Sequence, residues 1–514
     1  MVLADTESFT RGKLELDALA QCLEEHREKG DRVVHCHGVF DLLHIGHIRH
    51  FEEAKKMGDI LVVTVTPDQY VNKGPNRPAF NEQFRAEALR ALSCIDYVSI
   101  NRWPNAVNTI RLLKPDLYVK GPDYRDMDED ITGGIRLEKE ALEEVGGELS
   151  FTEDVTFSSS SLLNQNFPIY SPEMHDFLQE FKENHSFEEI VGYLDEIRDL
   201  RVLLVGETII DDYHYCRAMG KSGKEPILAV SFERQETFAG GILAVGNCVS
   251  GLSDHVNLLS FLGNRESHED FIREQVAKGV NAQFLRMSEG PTIVKRRYVE
   301  SYPFQKMFEV YVMGSDEGDP QDSTALCNQL EKILPDFDLV IVVDYGHGMM
   351  TPEVVELLSD QAPYLAVNTQ INAGNHGFNT ISKYKRADYI CVSEHELRMD
   401  VRTRQRALED IIPETAHRLN AKDILITRGK LGSYCYREDE GLFDIPAFTA
   451  QAVDRVGAGD AVLAITGLLA KNQVPIDALG LIGNAYGLQA VQNVGHRQTP
   501  DRTNLLKFIQ HCMK

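Results

Sequence analysis

One stretch near the N-terminus combines glycine, aromatic, acidic and imidazole side chains at fixed spacing. From His37 to His47 it reads His-Gly-Val-Phe-Asp-Leu-Leu-His-Ile-Gly-His. The run Arg32–Cys36 before it predicts a buried strand, and Ile48–Met57 after it has the spacing of a helix. A helix that starts after a tight turn offers free N–H groups and a positive dipole end, which suit a polyphosphate. The stretch therefore predicts a site that handles a nucleotide.

Two histidines of this stretch, His44 and His47, lie three residues apart at the predicted helix start. That spacing places them on one side of the helix, where they could donate hydrogen bonds to phosphate oxygens as charge develops. The alternative is that they are ordinary helix-start residues, or that one is a buried core histidine. His35 and His37 could suggest a zinc site, but no Cys-x-x-Cys accompanies them, so we expect no metal ligation there.

The pattern Gly-x-Phe-Asp-x-x-His-x-Gly-His resembles the signature of the cytidylyltransferase-like nucleotidyltransferases. The resemblance implies that His44 and His47 are catalytic and that Gly38, Phe40 and Asp41 belong to the nucleotide site. The chemistry implied is attack by a sugar-1-phosphate, or another phosphomonoester, on the α-phosphate of a nucleoside triphosphate. Pyrophosphate leaves, with Mg²⁺ offsetting its charge. ATP and CTP both remain open as the nucleotide.

Later segments extend this resemblance over nearly the whole first block. Lys55 and Lys56 end the helix, where family members place a lysine for the triphosphate, although cations are favoured at any helix C-terminus. The Ser158 turn resembles a late family element, or is a plain helix cap. The resemblance implies nucleotide contacts from Lys55, Lys120, Asp123, Ser158, Ser159 and Ser160, and sugar-phosphate contacts from Lys73 and Arg77.

A second chemical motif, Gly457-Ala458-Gly459-Asp460, lies near the C-terminus. Small residues let the backbone approach a phosphate, and a carboxylate at that place can accept the proton of an attacking hydroxyl. The tetrapeptide resembles the second signature of the ribokinase (carbohydrate kinase) family. That resemblance implies that Asp460 is the catalytic base and that Gly457, Ala458 and Gly459 form the anion hole.

Other segments in the same order support the kinase resemblance, and some depart from it. The resemblance implies substrate contacts from Asp211, Gly240, Gly241 and Asp344, an adenine-facing Asn484 and a metal-site Glu396. The departures are Ala244 and Ser393, where the family has asparagine, and Asn368-Thr369-Gln370 in place of Asp-Pro-Lys. Altered specificity is the first explanation of these departures, and weakened or lost kinase activity is the second.

The elements that position these residues alternate between short β-branched runs and helical stretches. Ile60–Thr66, Tyr97–Ile100, Leu117–Lys120 and Glu148–Phe151 are predicted strands of the first block, and Arg201–Gly206 opens the second. This alternation predicts an α/β protein. We expect two doubly wound domains: a Rossmann-like nucleotidyltransferase domain at 1–165 and a ribokinase-like domain at 200–514. A helical linker at 166–199 is expected between them.

The composition of the chain limits the classes of binding partner and the cellular compartment that we expect. The net charge of −26 argues against nucleic acid or a membrane surface as partner, since both require a basic patch. Nine cysteines without paired spacing favour a reducing, cytoplasmic compartment. The first 14 residues lack an apolar signal core, and no run of about 18 apolar residues could span a bilayer.

The two blocks together resemble the bifunctional ADP-heptose synthases, with the domain order reversed. The hypothesis is a bifunctional enzyme in which one half phosphorylates a sugar or sugar phosphate and the other couples a sugar phosphate to ATP or CTP. The alternative is a monofunctional nucleotidyltransferase whose second half only binds a ligand or dimerises. By resemblance we also expect a homo-oligomer, a dimer or larger.

Overall fold

The computed structural model describes residues 15–71, 78–121, 134–153, 170–315, 318–375, 377–449 and 452–513. Long-range contacts divide the chain into two compact units. The described residues of 1–169 and 506–514 form the first unit, and those of 170–505 form the second. The described residues of the expected helical linker, 170–199, thus group with the second unit. Helix 502–513 crosses the division.

The first unit contains a parallel five-stranded sheet with helices on both faces, as the alternating pattern predicted. In space the strands follow the order β3-β2-β1-β4-β5. The direction of winding therefore reverses between β1 and β4, which opens a crevice at their carboxyl ends. The elements are α1 Leu16–Glu28, β1 Val33–Gly38, α2 Ile45–Lys56, β2 Ile60–Val65, α3 Glu82–Arg90, β3 Tyr97–Ile100, α4 Val107–Leu113, β4 Leu117–Lys120, α5 Gly134–Glu144 and β5 Glu148–Phe151.

The core of this unit lies on both sides of the sheet because the strands alternate their side chains. Val34 and Cys36 of β1 pack with Phe51 and Ala54 of α2. Val33 faces the other side and packs with Leu16 of α1. Successive strand residues point to opposite faces, so both faces must be covered by helices.

The second unit has a nine-stranded sheet in the order β10-β9-β6-β13-β14-β15-β16-β17-β18. Its first seven strands are parallel, and β17 and β18 are antiparallel additions. The parallel strands are β6 Arg201–Gly206, β9 His255–Leu262, β10 Val280–Arg286, β13 Leu339–Asp344, β14 Leu365–Thr369, β15 Tyr389–Ser393 and β16 Asp423–Thr427, followed by β17 Ser433–Arg437 and β18 Gly441–Ile445.

A separate four-stranded sheet, which the sequence pattern did not predict, forms a lid sheet in the order β12-β11-β7-β8. Its strands carry charged and aromatic residues on both faces, so they lack the apolar run of a buried strand. Its members are β7 Thr208–Lys221, β8 Leu228–Gly241, β11 Ile293–Glu300 and β12 Gln305–Val312.

Beyond residue 170, the described part of the chain also contains eleven α-helices of seven to sixteen residues. None of the helices in the described ranges is long and apolar enough to cross a membrane. All nine cysteines are free thiols. The helices are α6 Pro172–Asn184, α7 Phe187–Glu196, α8 Ile242–Ser250, α9 Glu269–Gln275, α10 Pro320–Ile333, α11 Pro352–Gln361, α12 Glu394–Asp400, α13 Leu408–Leu419, α14 Ala458–Lys471, α15 Ile476–Val491 and α16 Arg502–Met513.

Candidate functional site

The turn between β1 and α2 is held in a tight conformation by its own side chains. Phe40 adopts a left-handed φ of 48°. Its ring contacts Phe51 and His47 edge-on, with centroids 5.1 and 5.5 Å apart. A Cβ on Gly38 would lie 2.8 Å from the Phe40 ring. Only glycine therefore fits at position 38, because any side chain would displace the ring that orders the turn.

His44 and His47 are brought together as stacked rings with centroids 4.0 Å apart. His44 is the N-cap of α2, and its Nδ1 accepts the backbone N–H of Gly46 at 3.1 Å. An accepting Nδ1 leaves the ring proton on Nε2. Burial lowers the pKa of His44. The imidazole is thus a neutral Nε2–H donor at the positive end of a helix.

Asp41 has a positioning role in this turn. Its carboxylate accepts the backbone N–H groups of Ala79 and Phe80, at 2.9 and 3.1 Å. Because both oxygens bind this loop, Asp41 fixes residues 79–80 beside the turn. The predicted nucleotide contact of Asp41 stays a prediction.

Arg85 anchors the same turn and was missed from the sequence. Its side chain is fully buried, and it donates to the carbonyl oxygens of Phe80 and Thr66, both at 2.9 Å. It also binds the carbonyl of Val39 and the carboxylate of Asp68. An arginine on a helix gives no sequence signal for this role, which depends on contacts across 46 residues.

At the end of β4, next to β1, Lys120 pairs with Glu138 of α5 at 2.9 Å. Both side chains are nearly buried. Lys120 therefore lies at the carboxyl end of β4, beside the crevice, with Glu138 as a neighbour that the sequence did not reveal. The predicted phosphate contact of Lys120 remains a prediction.

His35 and His37 point to the same face of β1 and hydrogen-bond Thr64 Oγ1, each at 2.8 Å. Burial is the main cause that lowers their pKa to about 3, so both rings are neutral. Among the described residues no group of three histidine, cysteine or acidic side chains could hold a metal ion.

Lys55 lies elsewhere, contrary to the predicted triphosphate contact. Its ammonium binds Asp96 at 2.5 Å and the carbonyl of Asp59. Asp59 and Asp96 precede β2 and β3, so Lys55 is at the amino-end edge of the sheet. It is separated from His44 by the length of α2, roughly 16 Å. Lys55 is a structural cation at a helix C-terminus. Lys73, Arg77, Asp123, Ser158, Ser159 and Ser160 lie outside the described residues.

The second unit has a cavity of about 330 Å³ at the carboxyl ends of its parallel strands. It is lined by the strand-end residues Asn368, Ser393 and Thr427 and by Gly457 and Gly459 at the start of α14. This is the edge at which open α/β sheets bind ligands. Cavity-lining residues from the predicted set are Asp211, Gly241, Glu396, Gly457, Gly459 and Asp460.

Asp460 lies in the first turn of α14, beside the left-handed N-cap Gly457 with φ 81°. Burial raises the pKa of Asp460, which the charge of His496 and hydrogen bonds from Tyr345 and Gln370 partly offset. The Gln370 amide donates to its Oδ1 at 2.8 Å. A carboxylate with a raised pKa at a helix N-terminus suits a general base near a phosphate. Ala458 is the first residue of this helix.

Asp211 stands in the same cavity in an opposite electrostatic environment. Its carboxylate pairs with Arg297 and lies 3.3 Å from Nε2 of His496. Burial alone would raise the pKa of Asp211, but the charge of Arg297 and the hydrogen bond from His496 hold it well below its usual range. A Cβ on Gly240 would lie 2.1 Å from Asp211 Oδ2, so the Gly240-Gly241 pair makes room for this carboxylate.

Four basic residues that line the cavity are not among the predicted site residues: Lys295, Arg297, Arg455 and His496. Lys295 is 7% exposed, and its ammonium lies over the rings of Tyr311 and Tyr345 at 5.2 and 5.5 Å. Within the described ranges no hydrogen bond or ion pair to this ammonium is present. Burial lowers its pKa. Lys295 and Arg297 are two residues apart on β11, so their side chains lie on the same face of the strand. This spacing is the sequence signal that could have indicated both.

Four predicted kinase residues do not line this cavity: Gly240, Asp344, Ala458 and Asn484. Asp344 is fully buried and is held by the Tyr384 hydroxyl at 2.8 Å, by Asn379 at 3.0 Å and by Lys383. It organises the loop after β14. Asn484 binds Ser433 and the carbonyls of residues 445 and 446, so it ties α15 to β17 and β18. The substrate contact of Asp344 and the adenine contact of Asn484 stay predictions, because motif order does not fix side-chain direction.

Glu396 lines the cavity but also completes a capping box. One oxygen accepts the N–H of Ser393 at 2.7 Å and the other that of Ile371 at 3.2 Å. Mg²⁺ in phosphoryl-transfer sites usually binds one or two carboxylates together with substrate phosphates. Glu396 is a cavity carboxylate with no arginine partner among the residues that the structure describes, so it fits such an ion.

Sequence comparisons identify both halves. Residues 199–503 match the pfkB family carbohydrate kinases, and residues 35–166 match the cytidylyltransferase-like family. In this chain the cytidylyltransferase-like segment therefore precedes the kinase segment.

Curated relatives named "Bifunctional protein HldE" match part of the chain. The protein of Syntrophotalea carbinolica is 38% identical over 147 residues, 28% of this chain and 29% of that protein. The protein of Geobacter metallireducens is 37% identical over 164 residues, 31% of each chain. The chain thus spans about three tenths of the length of these relatives.

Solved structures similar to the chain include a ribokinase from Thermotoga maritima and phosphofructokinase-2 from Escherichia coli. The first has a TM-score of 0.48 and 18% identity, covering 60% of this chain and 99% of the ribokinase. The second has a TM-score of 0.49 and 15% identity, covering 61% of this chain and all of the other. Because the kinase match spans more than half of the sequence, the chain belongs to the pfkB family of carbohydrate kinases.

Proposed function

We propose that the chain is a bifunctional sugar-activating enzyme. Its second unit phosphorylates a sugar or sugar phosphate, and its first unit couples a sugar phosphate to a nucleotide with release of pyrophosphate. The observation that carries the proposal is the cavity in which Asp460, at the start of α14, faces the substrate-side Asp211. The relatives named bifunctional, and the stacked His44–His47 pair in the other unit, support the second activity.

In the kinase reaction a substrate hydroxyl loses its proton to Asp460 while its oxygen forms a bond to the γ-phosphorus of ATP. The bond from that phosphorus to the ADP oxygen breaks, and ADP leaves. The backbone N–H groups at Gly457–Gly459 stabilise the transferred group. Bound Mg²⁺ would offset phosphate charge, with Glu396 as the residue that would hold it.

The cavity cations favour a phosphorylated substrate over a free sugar. Arg297 is neutralised by Asp211, but Lys295 and Arg455 also line the cavity. A buried ammonium without a carboxylate partner is costly unless an anion joins it. Lys295 therefore suits the phosphate of a sugar phosphate.

In the transferase reaction a phosphate oxygen of the sugar phosphate attacks the α-phosphorus of ATP or CTP, and pyrophosphate leaves. No covalent enzyme intermediate is required, so positioning and charge stabilisation supply the acceleration. His44 donates from Nε2, because its Nδ1 is occupied by Gly46. His47 stacks on it and completes the donor pair.

The test uses the full chain and separates the two products. ADP formation reports the kinase, and pyrophosphate release reports the transferase. Asp460→Asn should lower ADP formation about 10²- to 10⁴-fold over a panel of sugars and sugar phosphates, with pyrophosphate release from supplied sugar-1-phosphates retained. Asp477→Asn, on α15 and paired with His185, is the matched control.

For the transferase, His44→Asn keeps a capping side chain but removes the imidazole. Pyrophosphate release should fall about 10²-fold or more, while ADP formation is unchanged. If no substrate gives ADP formation that depends on Asp460, the kinase assignment fails and the second unit is a binding or dimerisation module. The amide Gln370 on Asp460 and the small Ala244 favour that second candidate.

We also propose self-association through the lid sheet. Phe232, His214, Tyr298 and Phe308 form a row of rings across all four strands, and Phe232 is 58% exposed. A second copy of this chain would cover such an apolar row. Phe232→Glu should shift the sedimentation of the protein toward a smaller species, and an unchanged oligomer would exclude this face.

A further inference from the structure

His496 is a cavity residue to which the sequence assigns no role. It follows Gly495, whose left-handed backbone has φ 53° and whose N–H donates to Asp454 Oδ2 at 3.1 Å. Asp454 also accepts the Tyr213 hydroxyl at 2.8 Å and the Val456 N–H at 3.1 Å. One buried carboxylate therefore fixes both the turn that carries His496 and the loop that leads to the anion hole.

The imidazole stands directly over the N-terminus of α14. A Cβ on Gly457 would lie 2.3 Å from its Cε1, so the ring packs on the glycine that begins the anion hole. Its Nε2 lies 3.3 Å from the Asp211 carboxylate. The ring also lines the main cavity together with Asp460. It is thus placed between the substrate carboxylate, the catalytic carboxylate and the phosphate-binding amides.

The groups that face His496 favour a cationic ring. The carboxylates of Asp211 and Asp460 favour a positive charge on the ring, whereas the charge of Arg297 disfavours it. Lys295 and Arg455 line the same cavity. Despite burial, the hydrogen bond and charge of Asp211, with that of Asp460, raise the pKa of His496. A protonated imidazole at this place is a hydrogen-bond donor to an anion.

Two departures from the ribokinase pattern surround this ring. Ala244 provides no polar group, and it shares a small cavity of about 20 Å³ with Gly457, Asp460 and His496. Gln370 carries no ammonium and is committed to Asp460. The buried Lys295 ammonium also lines this cavity and lacks an ion-pair partner among the described residues, so an anion bound there would gain a favourable contact.

We propose that His496 binds the γ-phosphoryl group of ATP in the kinase site and so acts as a catalytic residue. This deepens, and rests on, the proposed kinase function. As the bond from the γ-phosphorus to ADP breaks and the bond to the substrate oxygen forms, the imidazolium donates to a non-bridging phosphoryl oxygen. Asp460 takes the hydroxyl proton, so His496 keeps its own. A contact of this type distinguishes a nucleoside triphosphate from a diphosphate.

The experiment compares His496→Gln with His185→Gln in the full chain. His185 is a matched control, because its side chain is similarly buried, at 10% against 17% exposure, and its Nε2 lies 2.8 Å from Asp477. It is not among the residues that line the cavity. We expect His496→Gln to lower kcat for ADP formation about 10- to 100-fold, the value of one charge-assisted hydrogen bond. The KM for the sugar substrate should be unchanged.

Equilibrium titration with the imido analogue of ATP and with ADP gives a readout that needs no turnover. His496→Gln should weaken one analogue site about tenfold or more and leave ADP binding within about twofold. Equal binding of the analogue to His496→Gln and the unmodified chain would overturn the proposal. A selective loss of analogue binding in a chain that forms no ADP would instead uphold His496 and reject kinase activity.

Folding is checked in the same preparations. Pyrophosphate release by the other unit and thermal melting show whether His496→Gln is intact, and His496→Asn provides a smaller second variant. If both variants retain full ADP formation and full analogue affinity, the imidazole does not contact the phosphoryl group.

Discussion

Two buried carboxylates in one cavity have their pKa values moved in opposite directions. Asp211 is held ionised by the Arg297 charge, whereas burial raises the pKa of Asp460. Such a separation supports the proposed roles, in which the ionised group binds and the more basic one takes a proton. The motifs implied these roles by resemblance, and residues far away in the sequence supply the charges that separate the two pKa values.

Gln370 should tune the basicity of Asp460. The hydrogen bond from its amide lowers the pKa of Asp460, so Gln370→Ala should raise that pKa. The acid limb of kcat/KM for ADP formation should then move to higher pH, by roughly half to one unit, because one hydrogen bond is worth about 1 kcal/mol. At pH values below this limb kcat/KM should fall, and at pH values above it kcat/KM should reach the plateau of the unmodified protein.

Gln329→Ala, on the exposed side of α10, provides the control for this pH profile. Its limb should coincide with that of the unmodified protein. A limb in Gln370→Ala that does not move would show that Asp460 is not the group that titrates.

At the level of elements, the turn between β1 and α2 depends on a helix that follows it by 46 residues. Arg85 of α3 is the contact that joins them, through the Val39 and Thr66 carbonyls and Asp68. The same turn is closed by Asp41, which holds the loop before α3. The donor geometry of His44 is thus supported from outside the motif.

Replacing Arg85 should damage both stability and the transferase. Arg85→Met leaves buried carbonyl groups without a donor, which costs about 1–3 kcal/mol for each buried group left unsatisfied, whereas the partly exposed Asp68 is solvated by water. Urea unfolding followed by the fluorescence of Trp103, the only tryptophan, measures this loss in the first unit. Pyrophosphate release should fall while ADP formation does not.

Arg90→Met on the exposed side of the same helix is the control and should change the free energy of unfolding by less than about 0.5 kcal/mol. Equal stability of the Arg85 and Arg90 variants would contradict the anchoring role of Arg85.

At the scale of the whole molecule, the two units should respond differently to acid. The first contains His35, His37 and His50, whose pKa values burial lowers to about 3, 3 and 4. In the unfolded chain these rings ionise near pH 6.5, so between pH 6.5 and 4 the unfolded state binds more protons. Stability is therefore fully present above pH 6.5 and is lost as the pH falls.

Each histidine that stays neutral in the folded protein should lower the free energy of unfolding by about 2 kcal/mol at pH 5 relative to pH 8. His50→Gln keeps a partner for Thr152 and removes one titrating ring. The slope of the free energy of unfolding between pH 6 and 5, measured by Trp103 fluorescence, should decrease by about 1.4 kcal/mol per pH unit. His175→Gln, an exposed histidine of the second unit, should leave the slope unchanged. An equal slope in His50→Gln would show that this ring is already protonated in the folded protein.

Local sequence patterns determined the strands and the motifs of this protein. The strands Tyr97–Ile100, Leu117–Lys120, Glu148–Phe151 and Arg201–Gly206 are confirmed at the predicted bounds. Buried parallel strands are short apolar runs, and the pattern of such a run is visible without its neighbours. The same local logic identified the helix starts beside His44 and Asp460.

Only the tertiary structure decided which side chains meet. In the structure Lys55 lies at the edge of the sheet opposite the His44 turn. Asp344 and Asn484 bind other residues of their own unit. The cavity that contains Asp460 is also lined by Lys295 and His496, which are 201 positions apart in the chain. Side-chain direction and partners depend on packing between distant elements, and neither motif spacing nor periodicity contains that information.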